Sequence, residues 1–127
     1  MSTNQAIDTN RAPEAIGPYS QAISAGNFVF LSGQIGIDPK TQELSEGIDA
    51  QLEQVFDNLE AVAKAAGGDL ASIVKINIYL TTLDYFLHVN DVMEKRFSKP
   101  FPARATLGVS SLPRGAMIEV DAIMNLS

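Results

Sequence analysis

The sequence predicts an α+β domain of two layers: a mixed sheet carrying two helices on one face, in the order ββαβαββ. Three observations predict it. Short stretches bounded by turn residues alternate apolar and polar side chains with the period of a strand. Two longer stretches repeat apolar residues at spacings of three and four, the period of an amphipathic helix. The 127 residues contain no internal repeat, low-complexity run or linker, so one domain spanning 1–127 is expected.

Residues 1–10 are polar and form a mobile or extended N-terminal arm. Pro13 and Gly17-Pro18 punctuate the next segment as an ordered loop. Tyr19–Ile23 is a short strand, closed by the turn Ala25-Gly26-Asn27. Phe28–Ile37 is the second strand, and its Gly33 and Gly36 mark a bulge or a close backbone approach. Ile48–Ala66 is a helix with Leu52, Val55, Phe56, Leu59 and Val62 on one side, acids in its first turns, and Gly67-Gly68 behind it. Ile73–Leu80 alternates as the third strand. Thr82 or Asp84 caps a second helix over about Tyr85–Phe97, which Pro100 forbids from continuing. Phe101–Val109 and the run from Ile118 both alternate. With the turn Leu112-Pro113-Arg114-Gly115 between them, they are expected to close as a hairpin. The crossovers are expected to be right-handed.

The composition excludes several functions. There is no cysteine, which removes disulfides, thiolate metal sites and a cysteine nucleophile, and one histidine makes a zinc site a poor fit. The formal net charge is −6, and Asp38, Glu43, Glu46, Asp49, Glu53, Asp57 and Glu60 face only Lys40 over their stretch. Such a surface repels phosphate backbones, so nucleic acid is a poor partner. No apolar run reaches the length of a membrane span, and the N-terminus has no apolar signal core, so a cytoplasmic protein is expected.

Arg104 and Glu119 stand out. An arginine fork matches a carboxylate in bidentate fashion, and a glutamate can take a proton or position a water. From spacing alone the plainer reading, a solvated sheet face or an ion pair of Arg104 with Glu119 or Asp121 at a subunit interface, is the favoured one. In the expected hairpin register, Arg104 lies opposite Ile123 and Glu119 opposite Gly108. That sets their Cα atoms about 13 Å apart, far enough to flank a small ligand. The face assigned to them also holds Phe28, Phe30, Tyr79, Met117 and Ile123 among Ser32, Gln34, Lys75, Asn77 and Asp121. This mixture is too apolar for water and too polar for a closed core, and predicts a closed homo-oligomer.

With these residues in view, the chain resembles the RidA (YjgF-type) family of enamine/imine deaminases almost end to end. The resemblance rests on residues 15–22 (AIGPYSQA), 30–35 (FLSGQI), 54–59 (QVFDNL), 73–75 (IVK), Val89-Asn90, 101–105 (FPARA) and Ile118-Glu119-Val120, in order and at compatible spacings. It implies a chorismate-mutase-like trimer with clefts between subunits. It also implies hydrolysis of 2-imino acids such as 2-iminobutanoate and 2-iminopropanoate to 2-keto acids and ammonia, without cofactor or metal. By the same resemblance, Arg104 and Glu119 are the catalytic pair: Arg104 binds the substrate carboxylate and Glu119 positions the attacking water. Tyr19, Ser32, Gly33, Asn90 and Thr106 complete the pocket. Thr106 departs from the pattern, since many deaminating relatives have cysteine there; Val120 departs mildly. Two alternatives are a non-catalytic regulatory trimer that binds keto acids and a ribonuclease or translation inhibitor. The net charge and the lack of a histidine pair argue against the second.

Overall fold

A computed structural model describes residues 4–127; the start of the expected arm, residues 1–3, lies outside them. The elements are β1 (Gln5–Ile7), β2 (Ala22–Ala25), β3 (Phe28–Gln34), α1 (Ile48–Ala65), β4 (Ile73–Leu80), α2 (Phe86–Arg96), β5 (Ala103–Gly108) and β6 (Ile118–Asn125). The fold is α+β, with the expected elements and one more, but the first expected strand, Tyr19–Ile23, lies instead at Ala22–Ala25 with Tyr19–Gln21 in a loop, and the second ends at Gln34 rather than Ile37. The described part of the arm is extended and adds β1 to the sheet edge, Ala6 opposite Ile23 of β2.

The sheet order is β1-β2-β3-β6-β4-β5. All neighbours are antiparallel except β4 and β5, which run parallel with α2 as their crossover. The expected hairpin between the last two strands is therefore corrected. β5 pairs with β4 through Ile76↔Arg104 and Ile78↔Thr106. β6 inserts between β3 and β4, with Glu119 opposite Tyr79. Burial explains the choice. Ile118, Val120, Ala122 and Met124 are almost wholly inaccessible, which a central strand provides, whereas the mixed faces of β5 suit an edge.

Both helices cover the face made by Val29, Leu31, Ile76, Ile78, Leu80, Ile118, Val120 and Met124. From α1, Leu52, Val55, Phe56, Leu59 and Val62 enter this core, and from α2, Val89 and Met93. Phe56 meets Phe97 edge to face at 6.0 Å. Each such buried side chain contributes about 1.5–3 kcal/mol. At the helix surface Arg96 reaches Glu53 at 2.8 Å and Asp57 at 2.7 Å, tying α2 to α1.

Buried polar side chains hold the loops. Asn58 donates to the carbonyls of Ile35 and Ile37 and accepts from Gln54. Gln51 accepts the Met117 N–H and donates to the Ser45 carbonyl. Gly36 lets α1 approach, since a Cβ there would lie 2.8 Å from the Gln51 Cα. Among the described residues nothing covers the opposite sheet face, and Phe28 and Phe30 are each 47% exposed on it. No helix among the described residues is long and apolar enough to cross a membrane.

Candidate functional site

The residues singled out in the sequence form two groups, on opposite faces of the sheet. Arg104 stands beside Ile76 on the helix side, not on the open face to which its alternation was assigned. The period of an edge strand separates two faces but does not say which one the helices cover. Arg104 Nη1 donates to Asn90 Oδ1 at 2.7 Å and to the Met93 sulfur at 3.7 Å. Its guanidinium lies over the Phe86 ring, 5.1 Å from the centroid. Phe86, Asn90 and Met93 follow one another at spacings of four and three, so one face of α2 presents all of them to the arginine. Among the described residues no carboxylate lies within ion-pair distance of Arg104, and its hydrogen bonds leave from Nη1 alone. A cleft of about 260 Å³ opens beside it, against Asn90, Glu94, Phe101 and Pro102.

Thr106 follows on the same side of β5, and its buried hydroxyl has no hydrogen-bond partner among the described residues. That isolation is consistent with a residue whose side-chain oxygen is dispensable.

The second group surrounds Glu119. Between Leu31↔Ala122 and Gln34↔Val120, β3 has Ser32 and Gly33 where β6 has only Asp121. This bulge brings the Gly33 backbone beneath the Glu119 carboxylate, so closely that a Cβ on Gly33 would collide with it. Burial, and secondarily the Asp121 charge, hold the Glu119 carboxyl above the ordinary carboxylate range. Asp121 in turn accepts from Asn77 at 2.8 Å and from the Tyr79 hydroxyl at 3.0 Å. That hydrogen bond is the main reason the Tyr79 phenol is also raised.

Tyr19, 54% exposed, lines the same cleft of about 320 Å³ as Gly33 and Glu119. Its loop is anchored from below. The Ser32 hydroxyl donates to the Ser20 carbonyl, and the Ser32 N–H donates to the Gln21 carbonyl at 3.0 Å. The buried Gln21 side chain accepts the Thr9 N–H and donates to the Thr9 and Pro13 carbonyls. Ser32 therefore shapes the loop under Tyr19 and spends its proton there.

The structure brings Tyr19, Ser32, Gly33 and Glu119 together, and separately Asn90, Arg104 and Thr106. It does not bring the two groups together within one chain. The sequence reading missed Phe86 beneath the arginine and the Asn77–Tyr79–Asp121 array beside the glutamate. The first was signalled by its spacing of four from Asn90. The second depends on the β4–β6 pairing that the hairpin expectation had replaced.

A family profile described as Endoribonuclease L-PSP matches residues 9–125. The chain is 45% identical over 125 residues to a 2-iminobutanoate/2-iminopropanoate deaminase of Dermatophagoides farinae, covering 98% of each. It is 41% identical to a human protein of the same name, covering 92% of this chain and 86% of that one. The crystal structure of RidA from a Psychrobacter species superposes with a TM-score of 0.93 at 49% identity, covering 95% of this chain and 98% of that chain.

Proposed function

Because the chain belongs to the RidA-type, endoribonuclease L-PSP family, we propose that it hydrolyses reactive 2-imino acids such as 2-iminobutanoate and 2-iminopropanoate. The products are the 2-keto acid and ammonia, as the names of its relatives imply. One observation carries the reading at the level of the site: an arginine fork with no carboxylate partner among the described residues, and a half-buried glutamate pressed on a glycine.

The two groups meet between neighbouring copies of the chain in a cyclic trimer. The protomer exposes two different apolar surfaces, Phe28 and Phe30 on the open sheet face and Leu83, Leu87 and Leu107 around α2 and β5. Two unlike surfaces that fit one another make a heterologous contact, which closes as a three-membered ring when the rotation between copies is a third of a turn. The Arg104 cleft of one copy then faces the Glu119 cleft of the next.

In this site Arg104 holds the substrate carboxylate with its fork, steadied by Asn90 and Phe86. The protonated imine carbon is electrophilic already, so orientation of the substrate and one water carries much of the catalysis. Glu119 takes a proton from that water as its oxygen adds to the carbon. The carbinolamine then collapses: the C–N bond breaks, ammonia leaves and the C=O bond forms, with water supplying the oxygen and the protons. A carboxyl held above the ordinary carboxylate range suits a base that must return its proton. Backbone N–H groups near Gly33 and Thr106 assist. No redox or group-transfer cofactor is needed for this balance.

A ribonuclease needs a different constellation. The single histidine, His88, lies exposed against Asp49, 2.9 Å away, and lines neither cleft. The test is coupled turnover: a threonine dehydratase generates 2-iminobutanoate, and this protein should accelerate release of 2-oxobutanoate and ammonia. Tight keto acid binding with no acceleration would instead make it a regulatory binder.

A further inference from the structure

Two non-glycine residues among those described have positive φ, Gln42 at 64° and Arg114 at 62°. They touch: Arg114 Nη2 donates to the Gln42 carbonyl at 3.3 Å. Both line the cleft that holds Glu119 and Tyr19.

Arg114 follows Pro113 in the turn Leu112–Gly115, closed by the Gly115 N–H on the Leu112 carbonyl at 3.3 Å. A positive φ in the second central position of such a turn favours glycine or asparagine. An arginine is strained there, and strained residues gather where a side chain must be held in one place. Among the described residues Arg114 is the single cation lining that cleft, which Glu14 and Glu119 also line. It makes no ion pair among the described residues, and its one hydrogen bond is to a neutral carbonyl. Most of its donor fork remains for an anion.

We propose that Arg114 is a specificity-determining residue that recognises a second, distal carboxylate, so that dicarboxylic 2-imino acids are substrates of this site. The proposal rests on the imine-hydrolysis reading and deepens it. Arg104 takes the carboxylate next to the imine carbon, Glu119 addresses that carbon, and the remaining side chain runs along the Glu119 cleft toward Arg114. The chemistry is unchanged: water adds across C=N and ammonia leaves. The reactions that would supply such imines are oxidations of acidic amino acids at the α-carbon.

The experiment compares 2-iminoglutarate, generated from glutamate by an amino acid oxidase, with 2-iminobutanoate. It also compares binding of 2-oxoglutarate and 2-oxobutanoate by calorimetry. The readout is the ratio of kcat/KM for the two imines, and the ratio of the two affinities. Arg114→Gly removes the guanidinium and relieves the turn, and Arg114→Ala removes the guanidinium alone. Both should shift each ratio against the dicarboxylate by about tenfold or more, the worth of a lost charge-assisted pair. Arg114→Lys should keep part of the preference. Unchanged ratios in the glycine and alanine variants overturn the proposal. So does an equal loss for both ligands with a lower melting temperature, which assigns Arg114 to the turn. If wild-type protein hydrolyses neither imine, the imine-hydrolysis reading fails by itself, and the affinity ratio still decides whether Arg114 reads a distal carboxylate.

Discussion

Alanine at position 33 would place its Cβ 2.9 Å from Glu119 Cδ and 3.2 Å from Cγ, and closer still to the carboxylate oxygen. The backbone there lies outside the left-handed region and accepts alanine without strain. The atoms in the way are the end of a flexible side chain, so Glu119 gives way and the sheet stays. Two effects on stability oppose one another. Removing a strand glycine gains about 0.5–1 kcal/mol, and forcing Glu119 off its rotamer costs about 0.5–1.5 kcal/mol. They cancel to within about 1 kcal/mol, a few degrees in Tm. Turnover is a different matter. A base displaced by about 1 Å forfeits roughly a hundredfold, within the 10²–10⁴ that a positioned base contributes. The Gly33→Ala variant should therefore fold and assemble normally yet hydrolyse 2-iminobutanoate at least about a hundredfold more slowly. Steady-state turnover in the coupled assay, with thermal unfolding on the same preparation, measures both. Turnover within about twofold of wild type would show that the carboxylate's placement on Gly33 is not used. A collapse of Tm would show that the glycine serves the backbone instead.

The other expectations concern the neighbouring groups. Arg104→Lys keeps the charge but loses the fork and its stacking on Phe86, so kcat/KM should fall about a hundredfold or more; unimpaired turnover would return Arg104 to a structural role. Burial and Asp121 raise the Glu119 carboxyl, so activity should be lost on the acid side above the ordinary carboxylate range, and Asp121→Asn should move that limb to lower pH. A limb that stays put would detach Asp121 from the base. The sign for stability is opposite: a raised folded-state pKa stabilises below the unfolded value, and the benefit is lost as pH rises through the folded one. Glu119→Gln should therefore not lower Tm at neutral pH, and a lower Tm there would count against a desolvated carboxylate. Thr106→Cys replaces a buried hydroxyl with no partner among the described residues, so it should leave turnover within about threefold and stability equal or about 1 kcal/mol higher. A hundredfold loss would mean that the hydroxyl takes part.

Most elements were legible because their signals are local. Ile73–Leu80 and the amphipathic face of Ile48–Ala65 follow from periodicity alone. Gly33 and Gly36 proved to be a bulge and a close approach, the two meanings glycine carries inside a strand. Strand neighbours were not legible. Alternation in Ala103–Gly108 and Ile118–Asn125 sorts side chains by face, but adjacency in sequence suggested a pairing for which Ile118–Asn125, flanked by β3 and β4, has no free edge. The error moved Arg104 to the wrong face and hid the Asp121 array. β1 escaped because three exposed or half-exposed residues carry no period. Arg104 and Glu119 themselves were found by residue type, yet their separation by the sheet needed the strand order.

That separation sets the decisive measurement. If Arg104 of one copy works with Glu119 of the next, Arg104→Ala and Glu119→Gln proteins should each be nearly inactive. Unfolded and refolded together in equal amounts, they should regain about a quarter of wild-type turnover, because three quarters of random trimers are mixed and each mixed ring holds one intact site in three. The same variants refolded separately and then combined without exchange give the baseline. Recovery to about that level, on mixed species confirmed by native mass, is the predicted result. Native mixed trimers with no recovered activity would contradict a site shared between copies, and with it the assignment of these two residues to one reaction.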